Sequence, residues 1–223
     1  MSAMNYLFIL LLLSVVLSIL QLRISSYGSD HPFHLSRIKA IKKNKHKFLK
    51  SQPQLLGHNF LAYPQFYYWI LSYFPNDIVD NKYWIFGPSI NILQLISFLV
   101  FSYIIYPHLD ISIELNLFLF IGGLIFILTP FSYAIWNAKN TGISVRGFGL
   151  WLGQVYVYII LLSNFINNPF VLFFAFIQVF IIFISSQFAM QFVLFFFFIM
   201  AILYNNIIII FIPIFAFALF FLT

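Results

Sequence analysis

The segment from Pro88 to Tyr106 has the sequence PSINILQLISFLVFSYIIY, and it contains no charged residue. The hydrocarbon core of a bilayer is about 30 Å thick, and a helix of about 20 apolar residues crosses it. The segment has that length and that composition. It therefore predicts a membrane-spanning helix, and the number of similar segments decides the fold.

Six further spans are predicted by the same criterion. They are placed at about Tyr6–Leu22, Glu114–Trp136, Gly147–Phe165 and Pro169–Ser185, with two more joined by a turn at Asn205 and Asn206 within Gln187–Leu222. The first span is expected to be a retained anchor, because no basic residue precedes it and no small-residue cleavage site is evident. The predicted fold is an all-α polytopic transmembrane helix bundle of about seven spans, forming a single transmembrane domain over residues 1–223.

The composition of the 223-residue chain also favours a membrane protein. Hydrophobic residues make up 63% of the chain and charged residues only 7%, whereas soluble domains have about 25% charged residues. This balance excludes soluble enzymes and disordered tails. Since the chain has no cysteine, disulfide scaffolds, thiol nucleophiles and Cys-ligated metal sites are excluded as well. The expected location is a cell membrane, with the bacterial inner membrane favoured over the endoplasmic reticulum.

One long polar loop, residues 24–87, separates the first two predicted spans. Eight of the 11 Lys and Arg residues lie between Arg23 and Lys50, and the net charge of the chain is +6. In a membrane protein, such a cluster predicts contact with the acidic headgroups of membrane lipids and no binding of nucleic acid. The positive-inside rule favours a cytoplasmic location, although the loop is near the length of about 60 residues at which that rule weakens.

The loop begins with GSDHPFHLSRIK, residues 28–39. Pro32 in a first turn, after Ser29 or Asp30 as cap, is a helix-start signal. Apolar residues then recur at helical spacing, at Leu35, Ile38 and Ile41. The pattern predicts an amphipathic helix lying on the membrane surface.

Four residues at the start of this helix combine the groups that phosphate and proton chemistry need. They are Asp30, His31, His34 and Arg37. A carboxylate, two imidazoles and a guanidinium can supply a general base, help to hold a divalent metal such as Mg²⁺ or Mn²⁺, and bind a phosphate. The alternative is that Asp30 only caps the helix, the histidines lie at headgroup level, and Arg37 binds anionic lipid.

Other candidate residues lie further along the chain. Residues 63–71, YPQFYYWIL, form either an aromatic belt at the membrane interface or a surface that stacks on sugar rings, and His58 is a candidate ligand beside them. Asp110 and Glu114 are predicted to share one helix face at the start of the third span, where a helix dipole or a second active-site acid would explain them. Arg146 lies in a short polar link and could contact lipid phosphate.

Taken in order, three of these segments resemble the GT-C glycosyltransferases. Residues 28–37 are similar to the acidic motif of that family, in which an acid is followed by an aromatic residue, His and Arg. Residues 63–71 resemble its Tyr-Pro-Pro-like juxtamembrane segment. Residues 140–149, NTGISVRGFG, resemble the link that carries a Ser-x-Arg-x-x-Gly pattern between two later helices.

The resemblance implies a seven-helix module that binds a polyprenyl-linked sugar donor from the bilayer and transfers the sugar on the non-cytoplasmic side. Asp30 and His34 are then the candidate catalytic residues, with Asp30 activating the acceptor or binding the metal. The candidate substrate-binding residues are His31, Arg37, His58, Tyr63 and Arg146, with Asp110 or Glu114 as a second acid.

Two alternatives from other classes stay open. One is a noncatalytic membrane subunit that serves a partner membrane protein. The other is a component of a lipid or solute transporter. The predicted spans contain glutamines but almost no ionisable residues, which argues against ion-coupled transport.

Overall fold

The computed structural model describes residues 3–24, 31–50, 65–128, 143–166, 168–203, 211–216 and 218, and within them the regular structure is entirely helical. This confirms the predicted all-α class. The helices are α1 (Ala3–Ile24), α2 (His31–Lys43), α3 (Phe66–Ser72), α4 (Asn76–Asn81), α5 (Phe86–Ile105), α6 (Leu115–Leu128), α7 (Val145–Ser163), α8 (Pro169–Ser185) and α9 (Gln187–Leu203). Single 3₁₀ turns extend α5 at both ends, and residues 211–216 are also helical.

Two helices are long and apolar enough to cross a membrane, namely Tyr83–His108, which is α5 with its flanking turns, and Val145–Ser163. At 1.5 Å per residue, the 26 residues of the first span about 39 Å. Only 22% of its apolar window is buried, so most of its apolar side chains face outward. Shorter apolar helices lie at Asn5–Leu20, Leu115–Leu128, Phe170–Ser185 and Ala189–Leu203.

The start of α8 illustrates how local sequence signals set a helix boundary. Asn168 has extended backbone, and its side chain accepts a hydrogen bond from the Phe170 amide at 3.0 Å. Pro169 follows in the first turn, where its missing amide hydrogen costs nothing. The predicted bounds Pro169–Ser185 are confirmed. The predicted turn at Asn205 and Asn206 lies outside the described residues.

The chain divides into two compact units, and the first comprises Met1–Gly28 and Trp84–Gly147. In it, α1, α5 and α6 pack together around a core of Leu10, Leu95, Leu99 and Ile127. The buried Asn91 donates a hydrogen bond from Nδ2 to Oγ of Ser18 at 3.0 Å. Because a buried amide without a partner is costly, this bond fixes the register of α5 against α1.

The second unit comprises Ser29–Tyr83 and Phe148–Thr223. In it, α2 packs on α3, and α8 packs on α9. A Cβ atom added at Gly149 would lie 2.4 Å from Cβ of Ser186 and 3.0 Å from Cβ of Ala189. The missing side chain therefore allows α7 to approach the junction of α8 and α9. Gln178 adds a hydrogen bond from Nε2 to the Leu152 carbonyl at 2.9 Å.

We expect Gly149→Ala to destabilise the protein by about 1–3 kcal/mol, because the contact with Ser186 leaves no room for a methyl group. Gly122→Ala is the matched control, since its added Cβ would meet only the Phe98 ring, at 3.4 Å. Unfolding of the detergent-solubilised variants, followed by size-exclusion chromatography after heating, measures the difference. Equal melting temperatures for the two variants would contradict the close packing.

We expect the two ends of the helix Tyr83–His108 to be accessible from opposite sides of the membrane, because the helix is long enough to cross it. The chain has no cysteine of its own, so Asn81→Cys and Asp110→Cys each introduce one reactive thiol at an exposed position. An impermeant maleimide applied to intact cells should label one variant, and the other only after lysis. Labelling of both from outside would show that this helix does not span.

Candidate functional site

The predicted amphipathic helix is present as α2, and its apolar face is covered by protein. Pro32 lies in its first turn, as predicted. Ile38 and Ile41 are completely buried where α2 packs on α3, and Tyr68 and Leu71 of α3 are buried as well. The hydrophobic periodicity that predicted a helix lying on lipid is thus explained by packing between two helices.

Arg37 is buried in this packing, with only 2% of its surface exposed. Its guanidinium carbon lies 4.6 Å from the centre of the Phe33 ring and 5.7 Å from the centre of the Tyr68 ring. Both distances are within the range of cation–π attraction, which is stronger where water is excluded. The two rings therefore hold the guanidinium in a defined position.

His34 lies beside Arg37 and is oriented by the same tyrosine. Its Nδ1 atom is 2.6 Å from the hydroxyl oxygen of Tyr68, and its ring packs edge-on against Phe33. The hydrogen bond and the ring contacts fix the direction of the imidazole. The sequence identifies Tyr68 only as one of several aromatic residues in 63–71. Its contact with His34 depends on the packing of α3 on α2, which the sequence does not reveal.

Several predicted site residues lie outside the part of the chain that the structure describes. Asp30, His58 and Tyr63 lie outside the described residues, as does the side chain of His31, whose backbone begins α2. Among the described residues, no group of three or more His, Asp or Glu side chains could hold a metal ion. The proposed metal ligand Asp30 therefore stays a prediction.

The turn after α2 joins it firmly to α3. The amides of Lys45 and His46 donate to the carbonyls of Lys42 and Ile41, and both residues have left-handed backbone, with φ of 53° and 58°. This arrangement is the Schellman motif that commonly ends helices. Trp69 then donates from its indole nitrogen to the His46 carbonyl at 3.0 Å.

Further side chains hold the turn to α3. Ser72 donates to the Trp69 carbonyl, so its oxygen can accept a hydrogen bond from Nδ1 of His46 at 2.8 Å. Gln65 pairs with both backbone groups of Leu49, at 2.6 and 2.8 Å. These contacts at the C-terminal end of α2 fix the position of α2 relative to α3. They thereby also hold His34 against Tyr68.

Lysines of α2 hold α4 in place. Lys39 forms an ion pair with Asp80 at 3.2 Å, and Lys42 donates to the carbonyl of Phe74 and the side chain of Asn76. Burial lowers the pKa of Lys42, although the charge of Asp80 opposes the shift. On α4, hydrogen bonds from Asn81 and Lys82 lower the pKa of Asp77. Part of the predicted headgroup-binding cluster thus has an internal structural role.

The aromatic segment also connects α3 to α7 within the second unit. The rings of Tyr67 and Phe148 stack at 4.5 Å with 17° between their planes. Burial raises the pKa of Tyr67 well above its usual range, so the hydroxyl stays protonated. Residues 66–72 thus act as packing residues on two sides, which explains part of the aromatic enrichment that also suggested sugar stacking.

The Ser-x-Arg-x-x-Gly stretch begins α7, and two of its three residues have clear structural roles. The Ser144 hydroxyl accepts a hydrogen bond from the Gly147 amide at 2.9 Å and caps the helix. Gly149 provides the close approach to Ser186 described above. Arg146 is exposed in the first turn of α7, where the positive end of the helix dipole disfavours a cation.

The prediction that Asp110 and Glu114 share a helix face is wrong. Helix α6 begins only at Leu115, and residues 109–114 are not helical. The Glu114 carbonyl accepts from the Phe118 amide, and its carboxylate accepts from the Asn116 side chain at 3.0 Å. Glu114 therefore precedes the helix as its cap, and the spacing of four residues brings no second acid into register with it.

No protein-family model, curated protein or solved structure matches the chain.

We expect Tyr68→Phe to destabilise the folded protein by about 1 kcal/mol, because it leaves the His34 nitrogen without the hydroxyl. A double-mutant cycle with His34→Ala should give a coupling energy of similar size. The control is Tyr103→Phe, at an exposed tyrosine of α5. The measurement is unfolding in mixed detergent and SDS micelles, and strictly additive effects of the two substitutions would contradict the contact.

Proposed function

We propose that the chain is a polytopic membrane glycosyltransferase of the GT-C type, with about seven spans. It transfers a sugar from a polyprenyl-linked donor to a lipid or glycan acceptor in a cell membrane, most naturally the bacterial inner membrane. The observation that carries the proposal is the packing of the half-buried His34 and the buried Arg37 against Tyr68, in a helix that begins directly after Asp30.

The order of the elements supports this proposal. An apolar helix, α1, is followed after six residues by α2, and α2 packs on the short helix α3 that follows the Tyr63-Pro64 segment. The resemblance noted in the sequence implies a long loop after the first span, and α2 and α3 lie in that part of the chain. Their mutual packing gives the acidic motif a defined support.

The chemistry proposed for this site is direct displacement at the anomeric carbon of the donor. The Asp30 carboxylate takes the proton of the acceptor hydroxyl, and the acceptor oxygen forms a bond to that carbon. The bond between the carbon and the phosphate oxygen breaks, and polyprenyl phosphate leaves with the electron pair. The barrier falls if cations stabilise the departing phosphate.

Arg37 is the proposed cation for this step, and Arg146 is proposed as a phosphate ligand from the resemblance alone. Arg37 is held by aromatic rings, so its position is fixed before a donor binds. Arg146 is exposed in the first turn of α7. A cation at that end does not stabilise the helix, because the helix dipole is positive there. His34 would assist proton transfer, with its ring direction set by Tyr68.

Transport is disfavoured as an alternative by the polar residues of the apolar helices. Asn91 bonds to Ser18, Gln178 to the Leu152 carbonyl, and Gln154 to the Tyr158 hydroxyl at 2.8 Å. Each of these groups has a hydrogen-bond partner inside the protein. Helices α5, α6, α8 and α9 contain no Asp, Glu, Lys or Arg, whereas ion-coupled transporters use such residues.

We expect Arg146→Gln to reduce sugar transfer about 10²-fold without loss of folding, because the side chain is exposed and its charge would act on the phosphate. The assay supplies membranes containing the full chain with radiolabelled polyprenyl-phosphate hexoses and pentoses, and follows label into lipid and glycan fractions. Asp30→Asn should reduce transfer by at least about 10²-fold.

Lys82→Gln is the matched control, because it removes an exposed cation that follows α4 and pairs with Asp77. It should retain the activity of the unsubstituted chain. Each variant must elute as a single species, with unchanged yield, in size-exclusion chromatography. Full transfer by Asp30→Asn would refute the enzyme proposal, and absence of transfer by the unsubstituted chain from every donor would favour the noncatalytic subunit.

A further inference from the structure

The lysine cluster after Arg37 divides into two groups once the internal contacts are known. Lys39 and Lys42 contact Asp80, Phe74 and Asn76, as described above. The other group is exposed and forms no ion pair within the described part of the chain; it consists of Lys43, Lys45, Lys47 and Lys50. In the described part of residues 29–83, both acids, Asp77 and Asp80, are already paired with lysines.

An aromatic side chain lies within this exposed group. Phe48 is 46% exposed, although one side of its ring meets Trp69 edge-on at 6.2 Å. A large apolar ring flanked by lysines in sequence is not explained by packing inside the unit. Cations with an exposed aromatic ring are the combination that binds at the interface of an anionic bilayer, where the ring enters the headgroup region.

The backbone that carries these side chains is fixed. The Schellman turn at Lys45 and His46 ends α2, and the Asn44 side chain donates to the carbonyls of Lys47 and Phe48, at 3.2 and 3.3 Å. Trp69 and Gln65 hold the same turn to α3. The lysines and Phe48 are therefore presented on a preformed turn, which reduces the entropy lost on binding.

We propose that Lys43, Lys45, Lys47 and Phe48 form an anchor that docks the α2–α3 pair onto the anionic headgroup layer of the bilayer. The bilayer is chosen as the occupant because its charge complements the lysines and because the same chain has two helices able to cross it. This surface is distinct from the His34–Arg37 site, and its docking does not require the proposed glycosyl transfer.

The test uses the full chain in nanodiscs, with Phe48→Cys carrying a nitroxide spin label. The collision rates of the label with oxygen and with a polar nickel chelate report its depth. In discs that contain phosphatidylglycerol, we expect the label to be protected from the nickel chelate. In discs of phosphatidylcholine alone, or when the salt concentration rises from about 0.05 M to about 0.5 M, this protection should be lost.

A triple variant with Lys43, Lys45 and Lys47 each changed to Gln should lose the protection in anionic discs. Each lysine near an anionic surface changes the partition by about fivefold, so the ratio of docked to undocked label should fall by roughly 100-fold. The same three positions changed to Arg keep the charge and should behave like the unsubstituted turn. All the substituted side chains are exposed, so folding is expected to be unaffected, and chromatography of the discs verifies it.

Two outcomes would overturn the proposal. Equal protection in neutral and anionic discs would mean that the label is covered by protein or inserted without help from charge. Full exposure of the label in both kinds of disc would mean that the turn faces water, as it would if its partner were a soluble acidic protein. Neither outcome bears on the transfer assay, whose readout is sugar incorporation.

Discussion

The scarcity of charge constrains every other feature of this protein. Only 7% of the residues are charged, so long apolar segments offer their backbone N–H and C=O groups few side-chain hydrogen-bond partners. These backbone groups must therefore bond to one another. Helices do this within a single segment, and the described residues form helices from α1 to α9. The few polar side chains inside the apolar helices follow the same rule, as the Asn91–Ser18 and Gln178–Leu152 hydrogen bonds demonstrate.

The same scarcity concentrates the chemistry of the chain in one place. Most of the lysines and arginines lie before Phe66, in and after α2. The structure divides them by burial: Arg37 is enclosed by aromatic rings, Lys39 and Lys42 hold α4, and the later lysines are exposed. One short helix therefore serves three purposes, which are an enclosed cation beside His34, the internal ion pairing, and an outer surface with net positive charge.

The helical class and the bounds of several helices could be predicted from the sequence, because they depend on short stretches of neighbouring residues. Apolar stretches of helical length predicted α5 and α8, and the structure adds Asn168 as the cap of α8. Pro32 predicted the first turn of α2. The failures occurred where a local signal had two structural solutions: the spacing of Asp110 and Glu114 suits a helix face, but the helix begins after Glu114. The position at which α6 begins decides between a shared helix face and a helix cap.

The candidate site was less predictable, for a different physical reason. The sequence placed His34 and Arg37 near the start of one helix, but it did not indicate what they would pack against. A helix with apolar residues at Ile38 and Ile41 is equally suited to lipid and to another helix. Tyr68 decides the matter, because its hydroxyl reaches His34 and its ring reaches Arg37. That contact joins residues 34 positions apart in the chain, and no periodic pattern reports it.

The stretch at the start of α7 contains three residues of different character, namely Ser144, Arg146 and Gly149. Ser144 satisfies a backbone amide that the start of α7 would otherwise leave open, and Gly149 permits close helix packing. Both residues would be selected for stability alone. Arg146 is placed where the helix dipole repels it, at a cost of about 0.3–1 kcal/mol. An anion near this turn would turn that repulsion to advantage, since the dipole and the guanidinium would then attract the same ligand. Ser144 and Gly149 thus build the start and the packing of α7, while Arg146 places a positive charge at the exposed surface of the same turn.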